Sequence, residues 1–453
     1  MKNIHFIAIG GAVMHQLALA LQKAGNHISG SDDEIADPAK TNLAAAGILP
    51  EPGWHPERIH QGLDAVVLGM HARADNPELQ KALSLNIPVY SFPEFVYEAA
   101  KDKKRVVIAG SHGKTTITAM VMHVLQQAGL DFDYLVGARL EGFPLSVQLS
   151  EAPVMVLEGD EYPASAIEKK PKIFFYHPHI TVLNGIAWDH VNVFPTYENY
   201  LEQFRQFLNM LAPGSQLFYN ATDPEVVRLV KEEGAHLEKT PYGLPAYHYE
   251  QGTAVVATGN GPARLSVFGS HNLVNLEAAH AVCLALGVPE TAFWESITSF
   301  TGAARRLEKI TEQPGLIAFR DFAHAPSKLK ATLTAVREAF PEHELLAVFE
   351  LHTFSSLSKN FLEEYTGSMA PADKAVVFYS QHALDLKQLP PLAAQEVAAA
   401  FGGQIHVFSR RESLEQWLAE ALKKNARPVC LLLMSSGTFE GLDWKDLLSR
   451  PAI

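Results

Sequence analysis

The stretch Val106-Val107-Ile108-Ala109-Gly110-Ser111-His112-Gly113-Lys114-Thr115-Thr116 constrains this chain more than any other. An apolar run meets a glycine turn, and Lys-Thr then opens a helical pattern from Thr115 to Ala128. The chain must therefore pass from strand to tight loop to helix. Glycines let backbone N–H groups face an anion, and a helix N-terminus adds positive potential. Gly110, Ser111, His112, Gly113 and Thr116 are thus candidates to cradle nucleotide phosphates. Lys114 can reach the terminal phosphates, and the Thr115 hydroxyl can ligate Mg²⁺. Ile108 stands where the pattern G-x-x-x-x-G-K-[ST] has its first glycine, so a chance Gly-Lys-Thr in an ordinary strand–turn–helix is the competing reading.

Strand-like and helical runs alternate along the whole chain, which predicts an α/β fold. A length of 453 residues suggests about three domains. The first unit has strands at His5–Ile9, His27–Ser29, Ala65–Gly69 and Val89–Phe92, and a helix from Val13 to Ala24. The charged stretch Lys101–Arg105 reads as a linker. The second unit takes strands Arg105–Ala109, Val154–Leu157 and Ile180–Leu183, with helices at Thr196–Leu211 and Asn272–Leu286. A third begins near Pro314, with strands at Leu316–Phe319, Leu345–Phe349, Ala375–Phe378, Ile405–Phe408 and Val429–Met434. The expected domains are 1–104, 105–312 and 313–453, with a hinge near Pro314-Gly315.

The first unit carries a weaker ligand signal. Gly10-Gly11 follows a strand and opens a helix, and Ser31-Asp32 follows the second strand. A dinucleotide fold places an acid about 20 positions on, against a ribose. The pattern G-x-G-x-x-G is incomplete, because Ala12 and Val13 follow Gly11. A bound nucleotide fits here better than a redox cofactor.

Composition excludes several classes. The net charge of −13 argues against a nucleic-acid binder, which shows a basic face. Cys283 and Cys430 each sit in an apolar run and read as buried thiols, not a disulfide. No run reaches the roughly 18 apolar residues of a membrane span. Met1–Gly11 runs straight into glycines and reads as a first strand, not a leader. The expected location is the cytoplasm.

Two polar clusters follow strands of the second unit, where open α/β sheets place ligands. They are Glu158-Gly159-Asp160-Glu161 and Asn184-Gly185-Ile186-Ala187-Trp188-Asp189-His190. Glu158 and His190, with Thr115, are candidate Mg²⁺ ligands, since hard oxygens suit that ion and one histidine is tolerated. The competing readings are solvated loop charge and a core histidine.

Taken in order, these motifs resemble the Mur ligases, the ATP-dependent amide-bond-forming enzymes of bacterial cell-wall precursor synthesis. The resemblance runs from Gly10-Gly11 through Gly110–Thr116, Glu158–Glu161 and Asp189-His190. It continues with His271-Asn272-Leu273-Val274-Asn275, Arg305-Arg306-Leu307-Glu308 and Asp321-Phe322-Ala323-His324. It implies a Rossmann-like first domain binding the UDP part of UDP-N-acetylmuramate through Gly10, Gly11, Ser31 and Asp32. The central P-loop domain would hold ATP and Mg²⁺, and a Rossmann-like third domain would bring the amine and close over ATP. By resemblance, Lys114 meets the β- and γ-phosphates, while Thr115, Glu158 and His190 surround Mg²⁺. Asn275 meets adenine, Arg306 the γ-phosphate and Asp321 the ribose, and His324 lies near the reacting centre. Lys114, His190, Arg306 and His324 are the expected catalytic residues. The implied partners are UDP-N-acetylmuramate and an amino-acid or peptide amine. Neither nucleic acid nor membrane is implied, and the expected state is a monomer or weak dimer.

Finer features are similar to the branch that attaches L-alanyl-γ-D-glutamyl-meso-diaminopimelate in peptidoglycan recycling. They include Asp75-Asn76-Pro77-Glu78, Glu161-Tyr162, Lys172–Tyr176, Phe194 and Met434–Leu442. The alternative branch uses L-alanine on the same lactyl carboxylate. Departures from the family pattern are Gly185 and Ala187, which replace its Asn and Glu, and Ala325, which replaces a second histidine. Phe204 and Arg205 stand where sister enzymes carry a carbamoylated lysine. Glu350–Ser356 replaces an arginine-containing segment. The glycine loop alone also permits a regulatory NTPase, and the first unit alone an oxidoreductase.

Overall fold

The computed structural model describes residues 1–165, 167–188, 193–303, 306–423 and 427–449. They form two compact units. One comprises residues 1–186, 201–243 and 278–293, the other 187–200, 244–277 and 294–453.

The first unit holds two sheets. Strands β1 (Asn3–Ile7), β2 (His27–Ser31), β3 (Ala65–Leu68) and β4 (Val89–Ser91) form a parallel sheet in the order β2-β1-β3-β4. Its apolar strands are buried on both faces, as parallel sheets require, with Phe6, Ile7, Val66 and Val67 fully buried. The second sheet comprises β5 (Lys104–Ala109), β6 (Phe132–Leu135), β7 (Val147–Gln148), β8 (Val154–Glu158), β9 (Ile180–Leu183), β10 (Gln216–Asn220) and β11 (Glu238–Tyr242). Its order is β11-β10-β9-β5-β8-β6-β7, and only β7 runs antiparallel to its neighbour. From β5 the chain first builds β6 and β8 on one side, then β9 to β11 on the other. Such a reversal opens a crevice at the carboxyl ends of the strands. The phosphate loop, Glu158 and Asn184 all lie at those ends of adjacent strands.

The second unit also holds two sheets. An antiparallel one is formed by β12 (Tyr247–Glu250), β13 (Thr253–Thr258) and β14 (Gly261–Leu265). The other contains β15 (Glu308–Gln313), β16 (Leu316–Asp321), β17 (Glu344–Leu351), β18 (Lys374–Tyr379), β19 (His406–Phe408) and β20 (Val429–Met434). Its order is β15-β16-β20-β17-β18-β19, parallel except for β15. Fully buried Ala318, Val348, Val376, Phe378 and Leu431 form its core with Leu414 and Leu418 of the helix Arg411–Lys423.

The strands expected from apolar runs form where expected. Strand β15 does not follow from such a run, because it is polar and half exposed. It pairs with β16 through a turn at Pro314-Gly315, with Gly315 at φ 82°. The expected hinge therefore falls inside a hairpin, and this sheet begins at Glu308, ahead of the boundary placed at 312/313.

Candidate active site

The phosphate loop leaves β5 at Gly110, whose φ of 121° admits little but glycine. A Cβ there would also come 2.9 Å from Gly185 N. Gly113, again left-handed at φ 78°, precedes the helix Lys114–Gln127, which buries nine of its fourteen residues. The loop is tied to the end of β9. Ser111 N donates to Gly185 O at 2.9 Å, and Asn184 Nδ2 donates to His112 O at 3.0 Å. Asn184 is in turn held by the Tyr242 hydroxyl at 2.7 Å, and its carbonyl accepts from Asn220 Nδ2 at 2.8 Å. Asn184 thus supports the loop from one position before the family asparagine. The departure at Gly185 has a steric reason: a Cβ there would overlap the His112 ring.

Lys114 Nζ donates to Gly110 O at 2.6 Å and to Glu161 Oε2 at 2.7 Å. Burial alone would push this ammonium down, but Glu161, Asp160 and Glu158 outweigh it and hold the group above the usual lysine range. Glu161 is fully buried, so the pair is a deep one. The sequence marks Glu158 as a metal ligand and Glu161 only as a branch feature, and nothing in the spacing shows that Glu161 faces the lysine. Glu158 Oε1 accepts from Thr115 Oγ1 at 2.7 Å, and its Oε2 accepts from Gly137 N at 2.6 Å. Thr115 and Glu158 are therefore adjacent hard-oxygen donors at the mouth of the phosphate loop, a fit to Mg²⁺. Among the described residues no cluster of three or more His, Cys, Asp or Glu forms a metal site by itself. Asp189 and His190 lie outside the described residues.

In the first sheet, Gly10 N donates to Asp32 Oδ2 at 2.7 Å, so the glycine loop and the acid after β2 do meet. Burial holds the Asp32 carboxyl above its ordinary range against that hydrogen bond. Ser31 is fully buried and gives its hydroxyl to Glu78. Glu78 also meets His5 Nε2 at 3.2 Å and accepts from His55 N. Burial opposes its ionisation, yet these partners hold its carboxyl below the usual range. Ser31 is thereby a strut of the loop, and Gly11 lies beside it, its carbonyl accepting from His15 Nδ1 at 2.9 Å.

The second unit collects another set. Asp321, at the end of β16, accepts from Leu307 N at 2.7 Å, Ala323 N at 2.7 Å and Thr332 Oγ1 at 3.2 Å. It pins a kink in which Leu307 has φ 47°, and so presents Arg306, whose guanidinium lies 5.0 Å over the Phe322 ring. His271, near Asp321 and Arg306, is held below its ordinary range first by burial. Asn275 lies on the helix Ser270–Ala285, 3.5 Å from Asn272 Oδ1. His324 Nδ1 donates to Phe322 O at 2.8 Å, which directs the other ring nitrogen toward accepting a proton. Trp188 packs on Phe361 and donates to Phe194 O at 3.0 Å, a packing role.

Three family models cover the chain in order: the Mur ligase family catalytic domain over residues 3–104, the Mur ligase middle domain over 108–283 and the Mur ligase glutamate ligase domain over 305–437. A UDP-N-acetylmuramate–L-alanine ligase of Carboxydothermus hydrogenoformans is 30% identical, over 99% of this chain and 96% of that one.

The chain belongs to the Mur ligase family. It is an ATP-dependent, amide-bond-forming ligase of peptidoglycan synthesis with the three-domain α/β Mur ligase fold. A second relative, the UDP-N-acetylmuramate–L-alanyl-γ-D-glutamyl-meso-2,6-diaminoheptandioate ligase of Haemophilus influenzae, is 27% identical over 99% of each chain. The fold is shared with UDP-N-acetylmuramate–alanine ligase of Thermotoga maritima, with a TM-score of 0.70 over 97% of each chain at 21% identity. Among the described residues of this Mur ligase, no helix is long and apolar enough to cross a membrane.

Proposed function

We propose that this Mur ligase joins the lactyl carboxylate of UDP-N-acetylmuramate to the amino group of L-alanyl-γ-D-glutamyl-meso-diaminopimelate through an acyl phosphate. The observation that carries the ATP half is the pairing of Lys114 with Glu161 and of Thr115 with Glu158, at the carboxyl ends of adjacent β5 and β8. A carboxylate is a poor electrophile. Its oxygen attacks the γ-phosphorus of ATP, and the amine then displaces phosphate from the acyl carbon. Lys114 offsets charge on the transferring phosphoryl group, and backbone N–H groups at the start of the helix Lys114–Gln127 orient the phosphates. Thr115 and Glu158 would hold Mg²⁺, which would supply further charge neutralisation. Resemblance gives Arg306 the γ-phosphate, Asn275 the adenine and Asp321 the ribose. Here Asp321 acts through its hold on Leu307 N, which positions Arg306. Gly10, Gly11, Ser31 and Asp32 form the floor of the UDP-sugar site. No covalent enzyme intermediate is needed, in keeping with buried, inert Cys283 and Cys430.

The tripeptide reading is supported by the recycling-branch motifs and the Haemophilus relative. The second reading, L-alanine as acceptor, is favoured by the Carboxydothermus relative. Phosphate release from ATP, Mg²⁺ and UDP-N-acetylmuramate separates them. Stimulation by the tripeptide and not by L-alanine is expected, and the reverse outcome moves the chain to the L-alanine branch.

A further inference from the structure

The carboxyl edge of the six-stranded sheet holds a polar group that the assignments above leave unused. Strands β16, β20 and β17 lie side by side, with Met434 in register with Asp321 on one side and Phe349 on the other. Glu350, next along β17, is buried. Its Oε2 accepts from the Ser435 hydroxyl and from Phe439 N, the latter at 2.8 Å. Its Oε1 stands 3.8 Å from His352 Nδ1, and the His352 side chain is 40% exposed. Among the described residues the nearby Ser436 hydroxyl is buried and has no hydrogen-bond partner. Gly437 packs on this pair so closely that a Cβ would come 2.6 Å from His352 Nδ1 and 2.9 Å from Glu350 Oε2.

The backbone here is strained. Phe439 and Glu440 are both left-handed, at φ 52° and 54°. Such residues persist where their surroundings over-determine them, commonly at a functional site. Here the constraint is the buried Glu350 carboxylate on Phe439 N. A buried acid behind a half-exposed imidazole is an arrangement that can orient the ring. The 3.8 Å contact is longer than a hydrogen bond, and catalytic contacts that are long without substrate commonly tighten in the substrate complex.

An amine substrate arrives as an ammonium ion, with no lone pair to attack an acyl carbon. We propose that His352, positioned by Glu350, accepts that proton, and that the Ser436 hydroxyl hydrogen-bonds the same nitrogen. The inference rests on the acyl-phosphate reading above. The ammonium gives one proton to His352 Nε2. The freed lone pair forms the C–N bond. The acyl C–O bond breaks with its electron pair on the departing phosphate, which takes the second proton of the nitrogen. His324 follows β16, which β20 separates from β17, and is a distinct group.

The test compares two ATP-dependent reactions of the full chain with UDP-N-acetylmuramate. One is amide formation with the amine acceptor. The other is hydroxamate formation with hydroxylamine, which is largely unprotonated at neutral pH and needs no base. His352→Gln is expected to lose about 10²-fold or more in amide formation, with hydroxamate formation within about threefold of wild type. Glu350→Gln is expected to show the same split, smaller. Added imidazole is expected to restore part of the amide rate of His352→Ala. Equal losses in both reactions, wild-type amide formation by His352→Gln, or the split appearing in His324→Gln alone overturns the proposal. A wild-type chain that forms no hydroxamate overturns the acyl-phosphate reading itself, and the proposal with it.

Discussion

Two loops in this chain share one plan and differ in charge. Each follows a buried parallel strand, β1 or β5, turns at glycine and opens a helix. At the first, the loop N–H of Gly10 is already engaged by a carboxylate, Asp32, and a Cβ on Gly10 would come 2.9 Å from that same oxygen. At the second, the loop carries Lys114, anchored from below by Glu161. Strand–glycine–helix geometry alone therefore does not choose the ligand. The charged side chain that reaches the loop does. An inward-facing acid suits hydroxyl and N–H donors such as those of a nucleoside, and an ammonium at a helix N-terminus suits phosphates.

Removing the charge at the second loop should have the largest effect. Lys114→Met is expected to cut ATP-dependent phosphate release by on the order of 10³-fold. It also leaves Glu161 buried without its partner, so thermal stability should fall, and adding Glu161→Gln should restore melting temperature but not activity. Recovery of turnover in that double variant would break the comparison. Glu158→Gln removes a charge but keeps the shape, and a loss of about 10²-fold with a raised Mg²⁺ requirement is expected in steady-state assays.

The first loop should respond in stability rather than chemistry. Glu78→Gln breaks the buried contact with His5 and Ser31, and a cost of about 3 kcal/mol is expected in denaturant unfolding at neutral pH. Its sign with pH is fixed. The Glu78 carboxyl is held low in the folded chain, so its contribution is present above the unfolded carboxylate range and is lost as pH falls through the folded value. Wild type and variant should converge in acid. Asp32→Asn should have the smallest effect, a rise in melting temperature of about 1–2 °C at neutral pH. The Asp32 carboxyl is held high, so its ionisation costs stability as pH rises through that value, and the gain should vanish in acid. Its kinetic effect should fall on the KM for UDP-N-acetylmuramate. Loss of ATP turnover in Asp32→Asn as deep as that in Lys114→Met would erase the distinction between the loops.

Much of this was legible from residues alone, for reasons that can be named. Apolar runs such as Val106–Ala109 and Val429–Met434 are buried on both faces, so hydrophobicity alone locates them. Strand β11, four of whose five residues are exposed, and the polar β15 carry no such signal, because they lie at sheet edges. The phosphate loop is local in sequence, and so is its lysine. The partners that hold it are not: Glu161, Tyr242 and Asn220 reach it only through strand order. The segments Glu350–Ser356 and Met434–Leu442 stand out in the sequence, but their meeting does not, since Ser435 and Phe439 reach Glu350 only through strand order, more than eighty residues on.

The most direct test of the central claim follows an oxygen atom. UDP-N-acetylmuramate carrying a heavy-oxygen label in its lactyl carboxylate is incubated with ATP, Mg²⁺, the amine and the full chain, and the released phosphate is analysed by mass spectrometry. Transfer of one labelled oxygen from carboxylate to phosphate for each amide bond formed is the expected result, because the carboxylate attacks the γ-phosphorus before the amine displaces it. Unlabelled phosphate released alongside amide product would contradict carboxylate activation at the Lys114 loop.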